Sequence, residues 1–134
     1  EVLSVHARKY PFNTAHVASY TAYISSPELI GPVAEGLRLN FYVTGGELRG
    51  PKFNGSFLPS GGDWLTLRTD GVAVLDIRVT LQADDGAVIY MYAKGVGDCG
   101  PDGYKAFVDR APSPKDGIPL KINPWFQTSS PIYE

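Results

Sequence analysis

The chain has 134 residues, including 15 glycines, 11 prolines, two Trp, eight Tyr and six Phe, and a net charge of −2. Hydrophobic residues make up 43% of it, enough apolar area to offset ordering entropy, so a disordered tail is excluded. A pI near 5.6 leaves no basic field to neutralise phosphates, and the apolar runs are too short for a membrane span. These observations argue against nucleic-acid and membrane partners.

Residues 1–18 read as an N-terminal extension, and the chain opens at Glu1 rather than Met, with no leader visible. His6 and His16 have no cysteine partner nearby, so no metal site is expected. His16, beside Tyr10, Phe12 and Tyr20, is the better candidate for a ligand contact. Pro27 to Leu37 has room for one helical turn. From Leu37 to Thr44 the residues alternate, with Leu37, Leu39, Phe41 and Val43 on one face, and this predicts a half-buried strand. Gly45-Gly46 is expected to break it. Lys52 to Leu58 and Trp64 to Thr69 read as two short strands, separated by a turn at Pro59-Ser60-Gly61-Gly62.

Val72 to Gln82 alternates again: Leu75, Ile77, Val79 and Leu81 face one way, and Asp76, Arg78, Thr80 and Gln82 the other. Asp84-Asp85-Gly86 follows, then Ala87 to Lys94, and an Asp-Gly step between two strand patterns predicts a hairpin. Gly95 to Gly117 is rich in Gly, Pro and Asp, with room for one short element at Tyr104–Val108. Its central part, 97–117, reads as a long loop excursion. Ile118 to Thr128 is a last apolar piece that would close the structure. The pattern predicts an all-β fold: a small antiparallel β-barrel of roughly eight to ten strands with a long Gly/Pro-rich loop. One domain spanning 1–134 is expected.

No catalytic signature stands out. There is no nucleophile elbow, phosphate-binding loop, dinucleotide fingerprint or His-Glu-x-x-His helix. Cys99 is the only cysteine, which excludes an internal disulfide and favours a reducing, cytoplasmic setting. Asn54-Gly55-Ser56 matches a glycosylation sequon of a kind common by chance. Asp76 and Arg78 project to the same side of their strand. On a solvent face they form a modest pair contributing about 0–1 kcal/mol. In a lumen, burial would raise the Asp76 pKa and Arg78 would lower it. Asp63 reads either as a turn residue bonded to its own backbone or as a carboxylate at a barrel mouth. Asp70, Asp84 and Asp85 read as turn residues. Tyr90 and Tyr92 share a strand face with Lys94, and fit cross-strand packing or a phenol-lined pocket. Tyr42, Trp125 and Phe126 would add aromatic walls.

The ordered series Thr44-Gly45-Gly46, Gly50-Pro51, Gly61-Gly62-Asp63-Trp64, Asp70-Gly71, Leu75-Asp76, Asp84-Asp85-Gly86-Ala87 and Ile89-Tyr90 resembles the domain of unknown function family 3237. That family is also termed uncharacterised protein family 0311. Pro124-Trp125-Phe126-Gln127-Thr128 with Tyr133 resembles its later Pro-x-Phe-Glu-Thr segment, and Lys121 stands where an Arg is usual. The resemblance implies a small antiparallel barrel, often oligomeric; most members have no assigned activity, and some fungal members act as hydroalkoxylation cyclases in polyketide pathways. It therefore implies a cofactor-independent cyclase or isomerase for an aromatic polyketide- or terpenoid-type substrate. In that reading Asp76 or Asp63 protonates an alkene, Arg78 and Tyr90 orient the substrate, and Trp64 with Tyr92 forms a wall. Tyr42, His16, Lys121, Trp125 and Phe126 are further candidate contacts. The alternative is a non-catalytic barrel that binds a small apolar ligand. A third reading is an assembly module, a homo-oligomer joined through edge strands.

Overall fold

The computed structural model describes residues 11–133, in which alternating apolar and polar side chains build seven antiparallel strands. These are β1 (Ser19–Ile24), β2 (Glu28–Val33), β3 (Gly36–Arg49), β4 (Gly55–Leu67), β5 (Val72–Ala83), β6 (Val88–Asp98) and β7 (Leu120–Thr128). A short helix, α1 (Gly103–Val108), lies between β6 and β7. The strand order is β1-β3-β4-β5-β6-β7, and β1 and β2 pair with successive stretches of β3. The sheet curls into an antiparallel half-barrel, which agrees with the all-β, barrel-type expectation. Among the described residues β7 pairs only with β6, so it does not close the sheet onto β1.

Seven strands stand in place of eight to ten because two expected breaks are bends inside long strands. β3 runs through Gly45-Gly46, and β4 runs through Pro59-Ser60-Gly61-Gly62. The registers show how. Tyr23 pairs with Gly45 but Ile24 pairs with Val43, so β3 carries one residue more than β1 across the bend. Phe57 pairs with Leu81 and Gly61 with Val79, so β4 carries two residues more than β5. Extra residues on successive strands form stacked bulges, and these bend a sheet into a barrel corner without ending it. Gly45, Gly46 and Gly61 supply the positive φ values of 155°, 138° and 77° that the corner needs. Pro59, which has no N–H to give a ladder, falls in the unpaired bulge.

The stretch 27–37, read as a possible helical turn, contains β2 instead. Its Pro32 is tolerated because β2 lies at the sheet edge, and Gly31 (φ 112°) sits at a register shift. β1 was not anticipated: its burial pattern is almost wholly exposed, so no apolar alternation marks it. The β5–β6 hairpin forms as expected, with eleven residue pairs in unbroken register. Its turn closes with Gly86 N–H donating to Ala83 O and Ala87 N–H donating to Asp85 Oδ1, both at 2.9 Å.

The apolar face is the concave one. Leu37, Leu39, Val43, Phe57, Leu67, Leu75, Val79, Leu81, Ile89, Met91 and Ala93 are all buried there. Each large side chain among them stabilises the fold by about 1.5–3 kcal/mol relative to exposure. In α1, Tyr104 and Phe107 pack on Leu37, Leu39, Leu67 and Ala73, so the helix covers one end of the concavity. Gly71 makes that possible. Its carbonyl accepts from Cys99 N–H at 2.9 Å, and a side chain at Gly71 would run into the Gly100 carbonyl.

Candidate functional site

Inward-facing side chains line a cavity of about 490 Å³, whose walls include Tyr20, Phe41, Phe57, Asp63, Ile77 and Phe107. Asp63 pairs with Phe41 of β3 and Ile77 of β5, both on the concave face, so its carboxyl belongs to the same face. Asp63 is thus neither a turn residue nor at a strand end; it lies within β4. Among the described residues lining this cavity it is the only carboxyl, and no Lys, Arg or His joins it. Burial pushes its pKa above the ordinary carboxylate value. A bond from the Asp76 backbone N–H to Asp63 Oδ1, 2.9 Å long, pulls it down, and the nearby Asp76 charge adds to the rise. Such a group can carry a proton into an apolar chamber.

A second compartment of about 380 Å³ shares Tyr20 with the first, and the Tyr20 and Phe57 ring centroids are 5.6 Å apart. Phe126 lies there beside Phe53, Leu81, Ile89 and Tyr133. Four ring-bearing cavity residues, Tyr20, Phe41, Phe57 and Phe107, were not among the sequence candidates. Phe41 has a signal, since it alternates with Leu37, Leu39 and Val43, but alternation marks the buried face of a strand and does not tell core from cavity wall.

The hairpin brings Asp76, Arg78, Tyr90 and Tyr92 to one face, as expected, but it is the outer face and not the lumen. They alternate with Leu75, Ile77, Val79, Ile89 and Met91, which point inward. Arg78 Nη1 donates to Asp76 Oδ2 at 3.4 Å. Its guanidinium carbon lies 5.8 Å from the Trp64 ring centroid and 5.1 Å from that of Tyr92, a cation held between two rings. Tyr42 meets Trp64 edge-on at 6.3 Å, and Trp125 meets Tyr92 edge-on at 6.2 Å. An aromatic row thus crosses the outer sheet from β3 to β7.

The other candidates lie apart from both groups. His16 is exposed ahead of β1 and bonds to Ser19 Oγ at 3.1 Å. Its expected neighbour Tyr10 lies outside the described residues, as does His6. Lys121 is exposed on β7, opposite Val96. Asp70 and Asp85 act as turn residues, accepting from the Val72 and Ala87 N–H groups, and exposed Asp84 pairs with Arg49 at 3.4 Å. Asn54 Nδ2 donates to Gly50 O at 3.1 Å, closing the turn before β4. Among the described residues no three His, Cys, Asp or Glu side chains group to hold a metal ion. No helix among them is long and apolar enough to cross a membrane.

Comparison with known proteins gives a consistent result. The profile of the family described as protein of unknown function (DUF3237) matches residues 12–134. A UPF0311 protein of Clostridium acetobutylicum is 33% identical over 129 residues, covering 91% of this chain and 78% of that protein. A UPF0311 protein of Rhodopseudomonas palustris is 30% identical over 122 residues, covering 90% and 79%. The crystal structure of a C. acetobutylicum protein of unknown function superposes with a TM-score of 0.79 at 31% identity, covering 89% of this chain and 80% of that one. A structure from Acinetobacter baumannii, described as a beta-barrel like protein, superposes with a TM-score of 0.69 at 26% identity, covering 94% and 83%.

Proposed function

We propose, from the premise that the chain belongs to the DUF3237 (UPF0311) family, that its concave cavity holds a small apolar substrate and cyclises it by acid catalysis. The observation that carries this reading is Asp63, the one carboxyl among the described residues that line a largely apolar cavity, with its pKa raised by burial. The reaction class is the hydroalkoxylation that the resemblance to fungal cyclases implies. Asp63 gives its proton to an alkene carbon, and the other alkene carbon becomes cationic. The rings of Phe41, Phe57 and Phe107, which line the cavity, would stabilise that charge through their π systems. The substrate's own hydroxyl forms the new C–O bond, and its proton returns to Asp63. Substrate and product are isomers, so no cofactor enters the balance. A folded substrate held in the cavity removes much of the entropic barrier to ring closure.

The test uses 2-(3-methylbut-2-enyl)phenol, whose cyclised isomer is 2,2-dimethylchroman, with turnover in D2O followed by mass spectrometry. The expected product has the substrate's skeleton mass plus one carbon-bound deuterium. Asp63→Asn should lower the rate by about 10²–10⁴-fold while binding changes little, the range for losing a general acid. Asp76→Asn, on the outer face, should stay within a few-fold of the parent. An unchanged rate in Asp63→Asn overturns the mechanism. Binding without turnover in the parent protein favours the carrier reading, which the largely apolar lining supports.

A further inference from the structure

The outer aromatic row has no part in the cavity chemistry, yet Tyr92 and Trp125 of that row border an open recess of their own. A recess of about 590 Å³ is lined by Arg78, Tyr90, Tyr92, Trp125 and Gln127, with Phe126 at its edge. A sheet face turned to water ordinarily carries small polar or charged residues, not four rings across five strands. Trp125 keeps 66% of its surface exposed, which is an unsatisfied apolar area at the rim. Arg78 is the one charged residue among those that line the recess. The Trp64 and Tyr92 rings flank Arg78 and leave its outer edge open, with the side chain 46% exposed.

The charges say what fits. Between the Val74–Val96 and Gln82–Val88 rows, the outer positions of β5, β6 and β7 hold Arg78, which lines the recess, and Lys94 and Lys121, which lie outside it, against a single carboxylate, Asp76. Among the described residues Lys94 and Lys121 make no ion pair. Asp98, at the far end of β6, accepts from the Gly100 N–H at 2.9 Å. A guanidinium presents paired donors that match a carboxylate, and that of Arg78 lies over the Trp64 and Tyr92 rings. We propose that this recess is a second binding site, distinct from the cavity, for a planar aromatic carboxylate. The carboxylate meets the open edge of Arg78, and the ligand ring lies against Trp125 and Tyr90. Asp76 holds the guanidinium from one side and competes weakly with the ligand.

The experiment titrates 1-naphthoate and its neutral analogue 1-naphthamide into the protein, read by calorimetry and by quenching of tryptophan fluorescence. 1-Naphthoate should bind saturably, and 1-naphthamide about ten- to hundredfold more weakly, as expected for losing a charge-assisted bond. Arg78→Gln should weaken 1-naphthoate by a similar factor, with Arg78→Lys falling between. Trp125→Ala should weaken both ligands, and Asp76→Asn should tighten 1-naphthoate roughly threefold by removing a like charge. Asp63→Asn should change nothing, which separates this site from the proposed cavity chemistry. Circular dichroism melts of each variant separate lost folding from lost binding. Equal affinity for acid and amide overturns the proposal, as does loss of binding in Asp63→Asn with Arg78→Gln unaffected. Self-association abolished by Trp125→Ala also overturns it, because a second copy is then the occupant.

Discussion

At the scale of the residue, two carboxyls one peptide group apart in space have opposite surroundings. Asp63 turns into apolar walls, and Asp76 turns out towards Arg78; the backbone N–H of Asp76 is what joins them. The consequence for stability has a definite sign. Burial raises the Asp63 pKa in the native state, so the native chain holds this proton more tightly than the unfolded one. The associated stability is fully present below the ordinary carboxylate range and is lost as pH rises through the raised native value. Asp63→Asn keeps an oxygen for the Asp76 N–H but has no proton to lose. Its stability relative to the parent should therefore improve as pH rises from the ordinary carboxylate range through the raised native value, and level off above it. Urea denaturation at several pH values measures this, and a flat difference would show that Asp63 titrates alike in both states. The sequence offered Asp63 and Asp76 with equal chemistry, because charge and spacing do not tell which face of a strand becomes the inside.

At the scale of the element, strand identity was legible wherever alternation ran unbroken. The Leu37–Thr44 and Val72–Gln82 patterns and the Asp-Gly hairpin all fall in strands as read. Glycine pairs misled because the same residue permits a turn and a bulge, and only the partner strand decides between them. Gly45-Gly46 and Gly61-Gly62 have long strands on either side to hold register, so the chain bends there without reversing. This separates two glycines with similar φ. At Gly86 (φ 92°) a side chain meets open space, whereas at Gly61 (φ 77°) it runs into the Arg78 carbonyl. Gly86→Ala should cost about 1–2 kcal/mol from backbone strain alone. Gly61→Ala should cost about 3 kcal/mol or more, since overpacking adds to the strain. Chemical denaturation midpoints rank the two, and equal costs would mean that the corner relaxes freely.

At the scale of the whole molecule, the curl makes one apolar face serve as both core and cavity wall. That is why the function side of the sequence was harder to read than its fold: Phe41 and Phe57 look like packing residues until the sheet is seen to leave space between its walls. Stability should follow the topology. β3, β4, β5 and β6 are paired on both sides, with β4 and β5 furthest from an edge, whereas β1, β2 and β7 are edges with mostly exposed side chains. Native-state hydrogen exchange should give the slowest amides in β4, β5 and the β5-facing side of β6, and the fastest strand amides in β1, β2 and β7. Uniform protection across the sheet would indicate that the edges are covered in solution.

The uneven strand lengths at the corner also govern how the chain tolerates insertion and deletion. Through Val43 the inward residues of β3 carry odd numbers, but beyond the bulge it is Leu48 that is buried. The phase of the alternation has slipped by one, and the corner absorbs the slip. β5 and β6 have no such place, since all eleven of their pairs run in one register. A single residue lost from the middle of β5 would turn Asp76 and Arg78 inward and their apolar neighbours out to water. Changes of length belong at the corner; within the hairpin only changes of side chain keep the two surfaces apart.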